Sequence, residues 1–244
     1  MILLLDCGNT RVKWRLMADG VVVHDGGGAL EETVTFAELT PYARKIDRVA
    51  VSTVASEQSR LRLDESLATV TSAPVRYHWA EVSRDGLRNS YQEVAKMGAD
   101  RWHAMVAAWV GARRSFAVVD AGSAVTIDYV DGQGQHLGGY ILPGLHMMRR
   151  SLKLDAARIG FEYDEQINAA PGRSTGECAN HGLAWLTESL VQRLHRDVGR
   201  LGLERVVLTG GDAGRFQSLG LKAEHRPGLV LEGLEIVDLQ ESQA

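Results

Sequence analysis

Paired cysteines, long apolar runs, an excess of one charge and the commonest nucleotide motifs are all missing from this chain, and each absence narrows what it can be. Of its 244 residues only two are cysteine, Cys7 and Cys178, far apart and without CxxC spacing. They read as thiols in a reducing compartment rather than as a disulfide framework. A chain of this length buries one large core, or two of about 120 residues each, without staples. The longest weakly polar stretch, around Met105 to Ala112, falls far short of the roughly 20 residues a membrane span needs. Met1 to Leu5 is apolar, but it lacks a basic lead and stops at Asp6, so it reads as a strand rather than a signal segment. The expectation is a cytoplasmic protein without a membrane partner. Lys and Arg number 27 against 31 Asp and Glu, and the basic residues are scattered. That balance argues against nucleic acid as the main ligand and leaves room for a small anion. The eight histidines show no HExxH or other ligand spacing, so no metal site built on His or Cys is expected. There is no GxxxxGK[ST], and Gly132, Gly134 and Gly138 miss GxGxxG by one position inside a hairpin. ATP, if bound, must be held in another way.

What the chain does have is a repeated plan. Ile2 to Leu5, Val12 to Met17 and Val21 to His24 read as three short strands, the last two joined by the turn signal Ala18-Asp19-Gly20. Phe116 to Val119, Ala124 to Val130 and His136 to Leu142 repeat that meander, with Asp131-Gly132 as its turn. After the first come a helical or irregular stretch to Ile46, a strand Arg48 to Val54, a helix near Glu57 to Val70 and a strand Val75 to Trp79. After the second come helices from Leu145 to Ala157 and Thr175 to Arg200, a strand Arg205 to Leu208 and a helix from Ala213. Both halves run βββαβα, which an ancient duplication explains and which implies α/β layers. The expected division is 1–114 and 115–244, with a cleft between the halves.

The chemistry concentrates at strand ends. Asp6-Cys7-Gly8-Asn9-Thr10 joins a carboxylate able to hold hydrated magnesium to a turn whose N–H groups can close on phosphate oxygens. Gly8 allows the close approach, and Lys13 can neutralise the same phosphates. Read alone this is as well an ordinary turn, but Asp120-Ala121-Gly122-Ser123, with Thr126 behind it, repeats it. An aspartyl-phosphate phosphatase loop is a rival reading; Gly8 stands where such a loop has its second aspartate. Gly98-Ala99-Asp100-Arg101 precedes the amphipathic run His103 to Val110. Asp100 reads either as a helix N-cap or as a proton acceptor, with Arg101 beside it to grip an anion. Gly210-Gly211-Asp212-Ala213 reads equally as a plain turn or as backbone against which a flat ring can pack. His195-Arg196-Asp197 reads as a solvent face within a helix, and Met147-Met148 as core.

In this order the motifs resemble those of the type III pantothenate kinases, in the actin, sugar-kinase and heat-shock-ATPase superfamily. The likeness covers nearly the whole chain: Asp6 to Lys13 and Asp120 to Thr126 look like the two phosphate motifs, and Gly98 to Arg101 like the catalytic Gly-Ala-Asp-Arg. Gly138 to Gly144 matches a Gly-Gly-x-Ile-x-Pro-Gly run. Ser123 stands where the family usually has threonine and keeps the hydroxyl. The resemblance implies two duplicated domains of the actin-like, ribonuclease H-like fold. It also implies ATP-dependent phosphorylation of the primary hydroxyl of pantothenate, the first step toward coenzyme A. Asp6, Cys7, Gly8, Asn9, Thr10, Arg11, Val12, Lys13 and Ser123 would then serve the nucleotide, Asp6 holding magnesium through water. Tyr91, Gly98, Ala99, Asp100, Arg101 and Thr175 would serve pantothenate, with Asp100 as the base. Asp120 would hold a monovalent cation, potassium or ammonium, and the protein would be a homodimer. Two alternatives stay open: a kinase for a sugar or another hydroxy acid, and a non-catalytic accessory factor for transcription.

Overall fold

In the computed structural model, which describes residues 1–8, 11–29, 36–155 and 160–243, the first meander is β1 (Ile2–Cys7), β2 (Arg11–Ala18) and β3 (Val21–Ala29). Then come β4 (Arg48–Thr53), α1 (Glu57–Ala68), β5 (Val75–His78), a small hairpin of β6 (Ser83–Arg84) and β7 (Leu87–Arg88), and α2 (Ala99–Ala112). The second meander is β8 (Phe116–Ala121), β9 (Ala124–Val130) and β10 (His136–Pro143), followed by α3 (Leu145–Asp155) and α4 (Thr175–Leu201). The chain closes with β11 (Arg205–Thr209), α5 (Ala213–Ser218), β12 (Glu224–His225) and α6 (Leu229–Gln243).

The duplication is visible in the sheets. One has the order β3-β2-β1-β4-β5 and the other β10-β9-β8-β11-β12. In each, the meander is antiparallel, and the strands beyond β1 or β8 run parallel to it. The β2–β3 turn needs left-handed backbone at Asp19 (φ 50) and Gly20 (φ 75), which this pair of residue types tolerates best. Helix starts follow local chemistry as well: Ser56 Oγ accepts the Ser59 N–H at 3.2 Å, and Ser174 Oγ accepts that of Glu177 at 3.2 Å.

The aliphatic run of β1 exists because both its faces are covered. Leu3, Leu5 and Cys7 point into a core with Val12, Trp14, Val51 and Leu63, while Leu4 meets Met17, Ala50, Leu231 and Leu234 on the other face. The second sheet packs Ala117, Val119 and Ile127 on Val191 and Leu194 of α4.

The chain packs as two units, Met1–Ala112 with Gly228–Ala244, and Arg113–Pro227. The boundary expected after Arg114 is close to the observed one, but the last segment, expected in the second half, belongs with the first. The cause is α6: Leu231 and Leu234 close over Leu4, and Gly233 crosses α2 so tightly that a Cβ there would overlap the His103 carbonyl. Two smaller readings also change. Asp197 is buried rather than solvated, accepting from Tyr129 Oη at 3.1 Å and Arg193 Nε at 2.9 Å, and Met147 is 52% exposed rather than core.

His103 on α2 carries a pH signature. It is fully buried, its Nδ1 is 2.8 Å from Ser52 Oγ, and its Nε2 has no partner among the described residues. Burial, then the nearby His78 and Arg84 charges, push its pKa down to about 3. The unfolded chain would protonate this ring near its ordinary value of 6.5, so below that pH the unfolded state binds the extra proton. Its contribution is therefore full above pH 6.5 and is lost as pH falls toward 3, by about 1.4 kcal/mol per unit at the steepest. Urea midpoints at pH 7.5, 6 and 5 should fall accordingly, and His103→Gln should flatten that slope. A slope unchanged in the variant would assign the pH dependence to other groups.

Candidate active site

The first unit builds its site from the end of β1. Alternation along the strand sends the Asp6 side chain to the face of Leu4, where it is partly buried. Asp6 stands in register with Lys13 on β2 and with Ser52 on β4. An ammonium, a carboxylate and a hydroxyl thus line one face of three adjacent strands. The turn between Asp6 and Lys13 closes where the Gly8 N–H donates to the Arg11 carbonyl at 3.0 Å. Arg11 and Lys13 are exposed and Val12 is in the core. Asn9 and Thr10 lie outside the described residues. Burial pushes the Cys7 thiol above its ordinary value, against a smaller lowering by its hydrogen bond with Thr53. Cys7 therefore packs as a neutral thiol, and its carbonyl accepts from Thr53 Oγ1 at 3.0 Å.

The start of α2 lies on the same face, because Ser52 shares a row with Asp6 and binds His103. The Gly98 carbonyl accepts the first helical bond, from the Trp102 N–H at 3.2 Å, so Asp100 sits inside the first turn rather than at the cap. Its Oδ1 accepts the Arg101 N–H at 2.7 Å, a favourable place for an acid at a helix start. A Cβ at Gly98 would lie 2.6 Å from that oxygen, which is why glycine stands there. Arg101 is 5% exposed; its Nη1 donates to Tyr91 Oη at 2.6 Å, and the guanidinium lies 5.6 Å from the Tyr91 ring centroid. The arrangement offers one carboxylate and, at the next residue, a buried fork of donors suited to an acid group.

The second unit repeats the turn with one residue fewer between paired strands. Asp120, one residue before the end of β8, is in register with Thr126 and Thr209, and the Gly122 N–H donates to the Ala124 carbonyl at 3.0 Å. Ser123 is exposed, and its carbonyl accepts the Gly144 N–H at 3.2 Å. A Cβ at Gly144 would overlap the Gly122 and Ser123 backbone, which accounts for the glycine after Pro143. From the other side the Asp212 N–H donates to the Ala121 carbonyl at 2.8 Å. Gly210 (φ +95) comes so close that its Cβ would lie 2.5 Å from Asp120 Oδ1. This turn-on-turn contact accounts for Gly210 alone, since a Cβ at Gly211 would meet no atom within 4 Å. Burial raises the Asp212 carboxyl above its ordinary value, partly offset by His146, Arg215 and Arg149. Thr175 is the exposed first residue of α4, directly after the capping Ser174.

Residues 2–197 match the profile of the family described as type III pantothenate kinase. The type III pantothenate kinase of Marinobacter nauticus is 61% identical over 235 residues, covering 96% of this chain and 97% of that one. The chain belongs to the type III pantothenate kinase family. A second relative of that name, from Cellvibrio japonicus, is 36% identical over 243 residues, covering 97% of this chain and 96% of its own. Among solved structures, a protein assigned as a 2-dehydro-3-deoxygalactonokinase from Sinorhizobium meliloti superposes with a TM-score of 0.60 at 12% identity, covering 99% of each chain. That likeness concerns the fold alone, which is the actin-like α/β architecture of sugar kinases.

Within this type III pantothenate kinase fold, Asp6, Gly8, Lys13, Tyr91 and Gly98 to Arg101 belong to the first unit, and Asp120, Ser123 and Thr175 to the second. Among the described residues no three His, Cys, Asp or Glu side chains converge on a metal position. Single carboxylates such as Asp6 and Asp120 fit ions that take most of their oxygens from water, phosphate or backbone. Sequence reasoning passed over Ser52, Glu81, Arg84 and Asn89. They are ordinary polar residues whose weight comes only from distant contacts.

Proposed function

We propose that this chain transfers the γ-phosphate of ATP to the primary hydroxyl of pantothenate, giving 4'-phosphopantothenate and opening coenzyme A synthesis. The observation that carries the reading is the buried Arg101 guanidinium held by Tyr91 Oη, one residue from the Asp100 carboxylate. A hydroxy acid matches that pair, with its carboxylate on Arg101 and its hydroxyl proton toward Asp100. Family membership supports the same reaction. Phosphoryl transfer asks mainly for positioning and charge neutralisation. Gly8 to Thr10, Lys13 and Ser123 would hold phosphate oxygens, and Thr175 would contact pantothenate. Asp6 would hold magnesium through water, and that ion when bound offsets phosphate charge. A coupled assay with ATP, magnesium and either pantothenate or a panel of sugars and hydroxy acids tests the reading. Turnover confined to a sugar would replace it.

Asp120 would hold a monovalent cation. Its Oδ1 lies under the Gly210 backbone and near Gly122, a setting of carboxylate and peptide groups that suits potassium or ammonium. Without a cation, a carboxylate about 4 Å from a phosphate charge costs roughly 4 kcal/mol at an effective dielectric near 20. Replacing potassium by sodium or tetramethylammonium at constant ionic strength should lower kcat severalfold; equal rates in all three salts would remove the ion from Asp120. The active form would be a homodimer, which light scattering on the assayed sample checks. A cytoplasmic location belongs to the same proposal, and no helix among the described residues is long and apolar enough to cross a membrane.

A further inference from the structure

Tyr91 lies on an irregular stretch between β7 and α2, yet its hydroxyl meets Arg101 at hydrogen-bond distance. The contacts that hold it there converge on Glu81. Trp102, fully buried and adjacent to Arg101, donates its indole N–H to Glu81 Oε2 at 3.3 Å. Asn89 Nδ2 donates to the Glu81 carbonyl at 3.1 Å, and Asn89 Oδ1 accepts the Tyr91 N–H at 3.0 Å. One residue therefore anchors both arms of the Tyr91–Arg101 pair.

Glu81 is itself gripped. Arg84 Nε donates to Glu81 Oε2 at 2.5 Å and Arg84 Nη2 to Oε1 at 2.6 Å, a fork that fixes the carboxylate in plane and direction. The remaining donors of Arg84 reach α6: Nη1 to Gln240 Oε1 at 2.6 Å and Nη2 to Glu241 Oε1 at 3.4 Å. Gln240 Nε2 donates to Asp85 Oδ2 at 2.7 Å, and the Asp85 carbonyl accepts from Trp109 Nε1 at 2.9 Å. With only 13% of its side chain exposed, Arg84 is set in one orientation by both α6 and Glu81. A surface ion pair contributes about 0–1 kcal/mol; this fork is tied to a buried indole and to the loop that carries Tyr91.

We propose that Glu81 and Arg84 form a positioning clamp for the acid-substrate pocket. Arg84, braced on α6, fixes the Glu81 carboxylate and backbone, and these set the separation of Tyr91 and Arg101. The inference rests on the reading that Tyr91 and Arg101 receive the substrate carboxylate. Neither clamp residue touches the reacting atoms.

The test uses the full chain with Arg84→Ala, Arg84→Lys and Glu81→Gln. A displaced pocket should raise the pantothenate KM of Arg84→Ala roughly tenfold, since misplacement on the ångström scale costs factors of this order or more. The ATP KM should stay within about twofold, because the nucleotide residues are carried on other elements. Arg84→Lys keeps the charge without the fork and should fall between, and it serves with Glu81→Gln if the alanine variant fails to fold. The Trp102 indole N–H resonance should shift and exchange faster in Arg84→Ala. Equal rises in both KM values, or a lowered Tm with an unchanged pantothenate KM, would reduce the pair to a stability element and overturn the proposal. Arg101→Met separates the two ideas. If that variant leaves the pantothenate KM unchanged, the pocket reading fails and the clamp falls with it; a raised KM in Arg101→Met beside an unchanged one in Arg84→Ala overturns the clamp alone.

Discussion

Replacing Asp100 by asparagine is expected to lower kcat by roughly 10²-fold or more, about 2.7 kcal/mol of barrier, while both KM values and Tm stay close to those of the parent. Asparagine keeps the Oδ1 that accepts the Arg101 N–H at 2.7 Å, so the helix start and the neighbouring guanidinium should hold their places. What it loses is the capacity to take the hydroxyl proton. Phosphoryl transfer leaves this proton on the nucleophile until late, so the size of the loss is informative. A loss below tenfold would make Asp100 an orienting group, and an undiminished kcat would remove it from the chemistry. A Tm that falls along with kcat would show that the negative charge at the helix start was serving the fold.

The duplicated meander was legible because strand alternation and turn chemistry are local. Ala18-Asp19-Gly20 names its own turn, and an aspartate after four aliphatic residues marks the approach to the end of β1. The Asp-x-Gly pair could be read twice for the same reason. The return of α6 to the first unit could not, since Leu231 and Leu234 say that a helix face is apolar but not that Leu4 will cover it. The requirement for glycine at 210 is invisible for a related reason: it arises from the Ala121 backbone and the Asp120 carboxylate, both remote in sequence. Asp197 misled because its neighbours His195 and Arg196 are exposed, and only the Tyr129 hydroxyl, from another element, draws the carboxylate inward. Residues whose role is set by chain neighbours were found; those set by packing partners were not.

Arg101→Met is expected to raise the pantothenate KM by roughly 10²- to 10³-fold and leave the ATP KM within a small factor. Truncating one side of a buried, hydrogen-bonded charge pair costs about 2–5 kcal/mol, much of it from the partner charge left unpaired. The side chain is 5% exposed, so water cannot replace it at the substrate carboxylate, and methionine fills the same space without a donor. A second substrate makes the result specific. The alcohol analogue of pantothenate, with CH₂OH in place of the carboxylate, keeps the primary hydroxyl and loses the charge. The parent enzyme should discriminate strongly against it, and the methionine variant should accept the two with similar kcat/KM. Arg101→Lys should recover only part of the preference, since an ammonium lacks the planar fork that the Tyr91 hydroxyl orients. Preference for the acid that survived in Arg101→Met would place the carboxylate elsewhere, and Thr175 and Ser123 would be the next residues to change.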